Sequence, residues 1–172
     1  MVEQTQMESE GRGPDTGPDT GPDTGNVLRL REDEGTAEPA VTVEAFAGQT
    51  NATAVRIEPG EDARELIPHI DRIARVEVNF PAFGDGRGYS AARILREAGY
   101  DGEIRAVGDV LVDQIAYMRR CGFDAFEPDA PLNPEDAETA LNRWNDVYQE
   151  TVDGRTPIWA LRHGRKDGAV DG

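Results

Sequence analysis

Short apolar runs alternate with amphipathic stretches through most of this chain, and that alternation limits the fold more than any other feature. Four runs have the length and composition of buried strands: residues 54–58, 75–80, 103–107 and 124–127. Strands alternating with helices predict right-handed parallel crossovers and an α/β layer structure. A complete eight-stranded barrel takes about 250 residues and does not fit. We therefore predict a small parallel sheet or a half-barrel-like array, which a homodimer would complete.

The helical stretches between and after these strands carry recognisable start and stop signals. Pro68 interrupts the first helix, Gly99 closes the second, and Gly122 closes a third that is predicted to begin at Asp109. Asn133, followed by proline and two acids, is typical of a helix start. This last helix is expected to bury a stripe formed by Ala137, Leu141, Trp144 and Tyr148. Residues 158–161 are predicted to add an edge strand or to dock as an extended arm.

The two ends of the chain differ in composition from this core. Residues 1–40 contain Gly-Pro-Asp-Thr three times, followed by an acidic run, so they offer too little apolar surface to offset chain entropy. We predict that they form a disordered tail. Residues 164–172 are Gly-rich and charged, and we predict a flexible C-terminal tail there. This leaves a single α/β domain at residues 41–163.

The charge balance excludes one class of partner and the hydropathy excludes another. Eighteen Lys plus Arg against 34 Asp plus Glu give a net charge of −16, which argues against binding to nucleic acid. No apolar run approaches the roughly 20 residues of a membrane-spanning helix. The N-terminal residues lack the basic start and apolar stretch of a secretory signal. The sequence thus predicts a cytoplasmic protein without a membrane partner.

Cysteine and histidine are scarce, and this restricts the available cofactor chemistry. Cys121 is the only cysteine, and His69 and His163 are the only histidines. One chain therefore cannot form an internal disulfide, a four-cysteine zinc site or a self-contained iron–sulfur cluster. Cys121 follows two arginines, which favour a thiolate, but it lies at a predicted helix C-terminus, which disfavours one. We expect a buried, unreactive thiol, and the sequence does not identify a cofactor or assign a metal.

Ligands of parallel sheets bind at the carboxyl ends of the strands, and residues 80–90 occupy such a position. Alternating glycines allow backbone amides to approach a ligand, while Arg87 and a helix N-terminus favour an anion. The pattern predicts an oxyanion or phosphate site. The structural alternative is a tight turn in which Arg87 pairs with Asp85 or Asp109. The binding residues predicted from this segment are Gly86, Gly88, Tyr89 and Ser90. Ser90 is as well suited to cap the helix as to act as a nucleophile.

Residues 105–114 span the end of the third strand and form a second candidate segment. Asp109 and Asp113 are four residues apart, so on a helix they would share one face and could hold a divalent cation. The alternative is a helix-capping aspartate and an acid on the helix surface. Arg105 and Gln114 are the other predicted binding residues of this segment. The four residues predicted to carry catalysis are Asp85, Arg87, Asp109 and Asp113.

The same two segments carry a resemblance to a known family. The runs concerned are Asp85-Gly86-Arg87-Gly88-Tyr89-Ser90, Arg105-Ala106-Val107-Gly108-Asp109-Val110-Leu111 and Arg119-Arg120-Cys121-Gly122-Phe123-Asp124. They resemble a bacterial family of unknown function (DUF934), and the likeness covers about residues 50–150. Members are commonly encoded beside assimilatory sulfite reductase and are named as oxidoreductases of sulfite reduction. No catalytic residue carries over from the family.

The resemblance implies a role in sulfate assimilation, which supplies sulfide for cysteine synthesis. It also implies sulfite reductase, or its electron donor, as a partner. Two classes of function remain open. One is a noncatalytic accessory protein of sulfite reduction. The other is a small enzyme that acts on an oxyanion or a phosphorylated substrate at the strand ends, with or without a divalent cation.

Overall fold

The computed structural model describes residues 27–33, 35–144 and 146–162, and within them six strands form one sheet. The strands are β1 (Leu28–Arg29), β2 (Val41–Thr42), β3 (Ala54–Ile57), β4 (Arg75–Phe80), β5 (Glu103–Gly108) and β6 (Ala125–Pro128). Strands β2 to β6 are parallel and follow one another across the sheet in chain order. Strand β1 pairs antiparallel with β6 at the far edge. The predicted α/β architecture with a parallel sheet is confirmed.

Helices occupy the four connections between β2 and β6, and two more follow β6. They are α1 (Val43–Ala47), a 3₁₀ helix (Ala63–Arg72), α2 (Arg87–Glu97), α3 (Ile115–Cys121), α4 (Pro134–Asn142) and α5 (Ile158–Arg162). The first-turn amides of α4 donate to the Asn133 side chain, as its sequence predicts. Gly122 ends α3 in a left-handed conformation with φ of 112°, which glycine adopts without strain. None of the helices described is long and apolar enough to cross a membrane.

Sequential parallel strands joined by right-handed crossovers place the connecting helices on one face of the sheet. The core lies between that face and the helices. It contains Val76, Val78, Phe80, Ile104, Ala106 and Phe126 from the strands and Ala91, Ala92, Leu95, Ile115 and Met118 from α2 and α3. This singly wound order fits both arrangements that the sequence predicts, a small parallel sheet and a half-barrel-like array.

The opposite side of the sheet carries none of the connecting helices, and we call it the helix-free face. It is lined by charged side chains that alternate along the strands with the core residues. Arg75, Glu77, Glu103 and Arg105 are all buried there, between 3% and 4% exposed. Arg75 lies opposite Glu103 and Glu77 lies opposite Arg105, so unlike charges face each other across β4 and β5. Such cross-strand pairs stabilise a sheet.

Part of the segment that the sequence assigns to the N-terminal tail contacts the sheet. Residues 27–33 and 35–40 include β1, and they run from the β6 edge toward β2 at the other edge. Arg31 Nη1 donates to Asp124 Oδ2 at 2.8 Å. Arg75 donates to the backbone oxygens of Thr36 and Glu38. The Gly-Pro-Asp-Thr repeat and the predicted C-terminal tail lie outside the described residues.

Two expectations about the C-terminal third are wrong. Helix α4 ends at Asn142, so the predicted stripe does not continue, and Trp144 and Tyr148 are 67% and 77% exposed. Residues 158–161 form part of α5 instead of an edge strand or an extended arm. Residues 147–159 fold back on themselves. Trp159 Nε1 donates to the Tyr148 carbonyl, and the Ile158 amide donates to the Val147 carbonyl. These local bonds satisfy backbone groups that a continuous helix would have satisfied.

Candidate functional site

Strands β4 and β5 end side by side, which brings the loops at residues 81–86 and 109–114 together at the C-terminal ends of these strands. We call these two loops the loop edge. Phe80 pairs with Gly108, and the Asp109 amide donates to the Phe80 carbonyl at 2.7 Å. Gly108 has a φ of 98°, and a Cβ at this position would lie 2.5 Å from the Phe80 carbonyl oxygen. A side chain at residue 108 would therefore push the two strand ends apart.

Asp109 and Gln114 hold the loop after β4 in place. Asp109 Oδ2 accepts a hydrogen bond from the Phe83 amide at 2.9 Å. Gln114 Nε2 donates to the Phe83 carbonyl at 2.7 Å, and Gln114 Oε1 accepts from the Leu111 amide at 3.2 Å. The side chains of Phe83 and Leu111 are nevertheless 56% and 39% exposed. We call this pair of exposed side chains, on their fixed backbone, the Phe83–Leu111 tip.

Arg87 pairs with Asp85, one of the two acids that the sequence offers it. Its Nε lies 2.9 Å from Asp85 Oδ1 and its Nη2 lies 2.6 Å from Oδ2. The hydrogen bond from the guanidinium, followed by one from the Arg87 amide, lowers the pKa of Asp85 to about 2. The Arg87 side chain is 64% exposed. Asp85 is thus ionised at neutral pH and accepts from Arg87 through both carboxylate oxygens.

Asp113 does not share a helix face with Asp109, so that expectation is wrong. Helix α3 begins at Ile115, and both aspartates precede it. Asp109 faces the neighbouring loop, while Asp113 lies exposed in the turn before α3. Nowhere in the described ranges do three or more His, Cys, Asp or Glu side chains group so that they could hold a metal ion.

The remaining residues predicted from the first segment lie at the start of α2. Gly86 is the N-cap residue, and Ser90 lies inside the helix, so the expectation that Ser90 caps it is wrong. A Cβ on Gly88 would lie 2.6 Å from the Phe80 ring, which shows how closely α2 packs on β4. The Tyr89 ring is 5.5 Å from that of Phe80 and 5.3 Å from that of Tyr117. Burial raises the pKa of Tyr89, so its hydroxyl stays protonated at neutral pH.

Arg105 lies on the helix-free face and does not join the two loops. Its Nε donates to Glu103 Oε1 at 2.7 Å, its Nη1 donates to Glu127 Oε2 at 2.8 Å, and its side chain is 4% exposed. The structure therefore brings together Asp85, Arg87, Asp109 and Gln114 at the loop edge and separates Arg105 from them. Phe83 and Leu111 are not among the residues predicted from the sequence, although a large aromatic residue inside a Gly-rich loop is a usable signal.

Cys121 is the last residue of α3 and is partly buried beside Tyr117. Burial raises the pKa of the thiol, although a hydrogen bond with the Tyr117 hydroxyl lowers it.

We expect Cys121 in the folded protein at pH 7.5 to react with iodoacetamide more slowly than in urea, because less thiolate is present. Mass spectrometry of timed samples measures both rates. Equal rates in the two conditions would show that the fold does not suppress the thiol.

His69 does not join the loop edge. His69 is exposed on the 3₁₀ helix, with its ring 5.9 Å from that of Phe46. His163 lies outside the described residues. The loop edge therefore offers carboxylates, an amide, a guanidinium and two apolar side chains, without an imidazole from the described residues.

Comparison with known proteins gives one match. Residues 54–159 match the model of a family described as "Bacterial protein of unknown function (DUF934)". No curated protein and no solved structure matches the chain. The matched residues make up more than half of the chain and include both loops at the sheet edge. The chain belongs to the DUF934 family of bacterial proteins of unknown function.

Proposed function

We propose that this protein is a noncatalytic accessory component of assimilatory sulfite reduction in the cytoplasm, with sulfite reductase or its electron donor as partner. Family membership supports the proposal through the association of DUF934 proteins with sulfite reductase genes described above. In this role the protein helps the cell reduce sulfite to the sulfide that cysteine synthesis consumes.

The observation that carries the accessory role is that the polar side chains at the loop edge form hydrogen bonds within the protein. Asp85 accepts hydrogen bonds from Arg87, and Asp109 and Gln114 bind the backbone of Phe83. These side chains fix the shape of the loops and leave Phe83 and Leu111 facing outward. A fixed surface with exposed apolar side chains is suited to contact with another protein.

The electron count favours the same role. Reduction of sulfite to sulfide takes six electrons, which require a redox cofactor. With one cysteine and two histidines, this chain cannot by itself supply the four thiolates of an iron–sulfur cluster. In the proposed role the partner holds the electrons, and this chain contributes through binding.

Deletion of the gene tests the proposed function. We expect the deletion strain to grow poorly with sulfate or sulfite as the sole sulfur source and normally with cysteine. The gene on a plasmid should restore growth, which separates the effect from damage to neighbouring genes. Normal growth of the deletion strain on both sulfate and sulfite would contradict the proposal.

The second candidate is a small enzyme acting on an oxyanion or a phosphorylated substrate, with Asp85, Arg87, Asp109 and Asp113 at the strand ends and a divalent cation as an option. The observation in its favour is the N-terminus of α2. This helix runs over 11 residues from Arg87. Its N-cap Gly86 has no side chain, and Asp85 Oδ1 accepts from the Arg87 amide at 3.1 Å. An exposed guanidinium beside a helix N-terminus is suited to bind an anion.

Arg87→Lys and Arg87→Ala separate the two candidates. We expect both variants to keep the wild-type melting temperature, because the Arg87 side chain is largely exposed. An enzyme that binds an oxyanion would lose growth on sulfate in both, since an ammonium cannot replace the planar guanidinium fork. The accessory role predicts normal growth of both. Failure of growth in both variants, with folded protein at normal levels, would favour the enzyme.

A further inference from the structure

The Phe83–Leu111 tip is held in shape before any partner binds. The Phe83 amide and carbonyl both have side-chain partners, on Asp109 and Gln114, and Gln114 also binds the Leu111 amide. Binding then requires little further ordering of the loop, which lowers the entropy cost of association. Exposed aromatic side chains on such a scaffold are typical of the residues that contribute most to protein binding.

The charge around the tip is negative. The loops at residues 81–86 and 109–114 contain Asp85, Asp109 and Asp113 and no lysine or arginine. The nearest cation along the chain, Arg87, is paired with Asp85, so the net negative charge of the two loops comes from Asp109 and Asp113. The chain as a whole has a net charge of −16. A partner surface complementary to this edge has an apolar pocket for the tip and basic side chains around that pocket.

We infer that the Phe83–Leu111 tip is the docking surface for a partner protein that presents an apolar pocket with a basic rim. This inference rests on the proposed function, and of the two partners named there it commits to sulfite reductase. Phe83 is the central contact, because its side chain is the larger and the more exposed of the two. Asp109 and Gln114 are positioning residues, and Asp113 contributes to steering by charge.

The inference is tested by measuring the binding of the full chain to sulfite reductase holoenzyme purified from the organism that encodes this chain. We expect Phe83→Ala to raise Kd at least about tenfold, equivalent to about 1.4 kcal/mol. Leu111→Ala should raise Kd by a smaller factor, and added salt should weaken wild-type binding, because the rim charges are then screened. Isothermal titration calorimetry measures each Kd, and melting curves establish that the variants are folded.

Tyr148→Ala is the matched control, since Tyr148 is 77% exposed and also aromatic. It lies next to Gln149, whose carbonyl accepts from Arg120 near the C-terminal end of α3, away from the loop edge. This variant should bind as the wild type does. An unchanged Kd for Phe83→Ala, an equal loss for Tyr148→Ala, or no wild-type binding would overturn the inference.

Two further outcomes separate this inference from the proposed function. If the deletion strain fails on sulfate and Phe83→Ala restores it fully, the function stands and the docking surface is wrong. If the deletion strain grows normally but Phe83→Ala loses binding to sulfite reductase, the docking surface stands and the physiological role is wrong. Self-association of the chain that Phe83→Ala abolishes, measured by sedimentation, would make the occupant a second copy and overturn the inference.

Discussion

Arg105→Met is expected to lower the free energy of unfolding by about 3 kcal/mol, because it breaks a buried ion-pair network. Arg105 joins Glu103 and Glu127, and Glu103 also accepts from Arg29 Nε at 2.8 Å. The Glu103 side chain is 3% exposed, so it would keep a buried charge with one partner fewer. Urea unfolding monitored by circular dichroism measures the change.

Arg93→Met is the control for this experiment. Arg93 also pairs with a glutamate, Glu97 at 2.7 Å, but on the surface of α2, where its side chain is 63% exposed. Melting curves of this variant should match those of the wild type, since exposed ion pairs contribute little. If Arg105→Met lowers the free energy of unfolding by less than about 1 kcal/mol, the stability of the sheet does not depend on the buried ion pairs of Arg105.

The Arg105→Met variant also tests whether Arg105 binds a ligand, as the sequence predicts. If Arg105 acts only in the sheet, loss of growth on sulfate should follow the loss of folded protein. A second, stabilising substitution that restores the amount of folded Arg105→Met protein should then restore growth. Growth that stays low with Arg105→Met at normal levels of folded protein would assign Arg105 a direct function.

The sequence predicts the central sheet well because burial leaves a local pattern. The strands β3 to β6 coincide with the predicted runs to within one or two residues, since each is rich in apolar residues that face the helices. Strands β1 and β2 were missed, as was the short helix α1. Each of the two strands has only two residues, too few to show a period-2 alternation.

The charged residues of the helix-free face form an alternating pattern that is visible in the sequence. In β4, Arg75, Glu77 and Asn79 alternate with apolar residues, and in β5 Glu103 and Arg105 do the same. Alternation of this kind distinguishes a sheet with one apolar face from one covered by helices on both faces. It was sufficient to predict that the helices lie on one side.

The loop edge was predictable in position but not in detail. The topology of a parallel sheet brings the loops after β4 and β5 together. The contacts of Asp109 and Gln114 with Phe83 span 26 and 31 residues along the chain. No local spacing encodes such contacts, and for this reason Asp109 was assigned to a helix that starts six residues later.

Asp124→Ala is expected to destabilise the protein by about 3 kcal/mol, because one carboxylate satisfies groups from three parts of the fold. Asp124 Oδ1 accepts from the Ile104 amide at 2.8 Å, and Oδ2 accepts from Arg31 Nη1 at 2.8 Å and Arg96 Nη2 at 2.7 Å. Ile104 is fully buried, so its amide would be left without this partner and away from water.

Asp124→Asn tests whether the charge or the acceptor matters more. An asparagine oxygen can still accept from the Ile104 amide, while the attraction to Arg31 and Arg96 falls, so we expect about half of the loss seen with alanine. Urea unfolding of both variants gives the comparison. If alanine and asparagine lose the same amount, the ion pairs carry the effect. If alanine loses less than about 1 kcal/mol, Asp124 does not tie the N-terminal segment and α2 to the sheet.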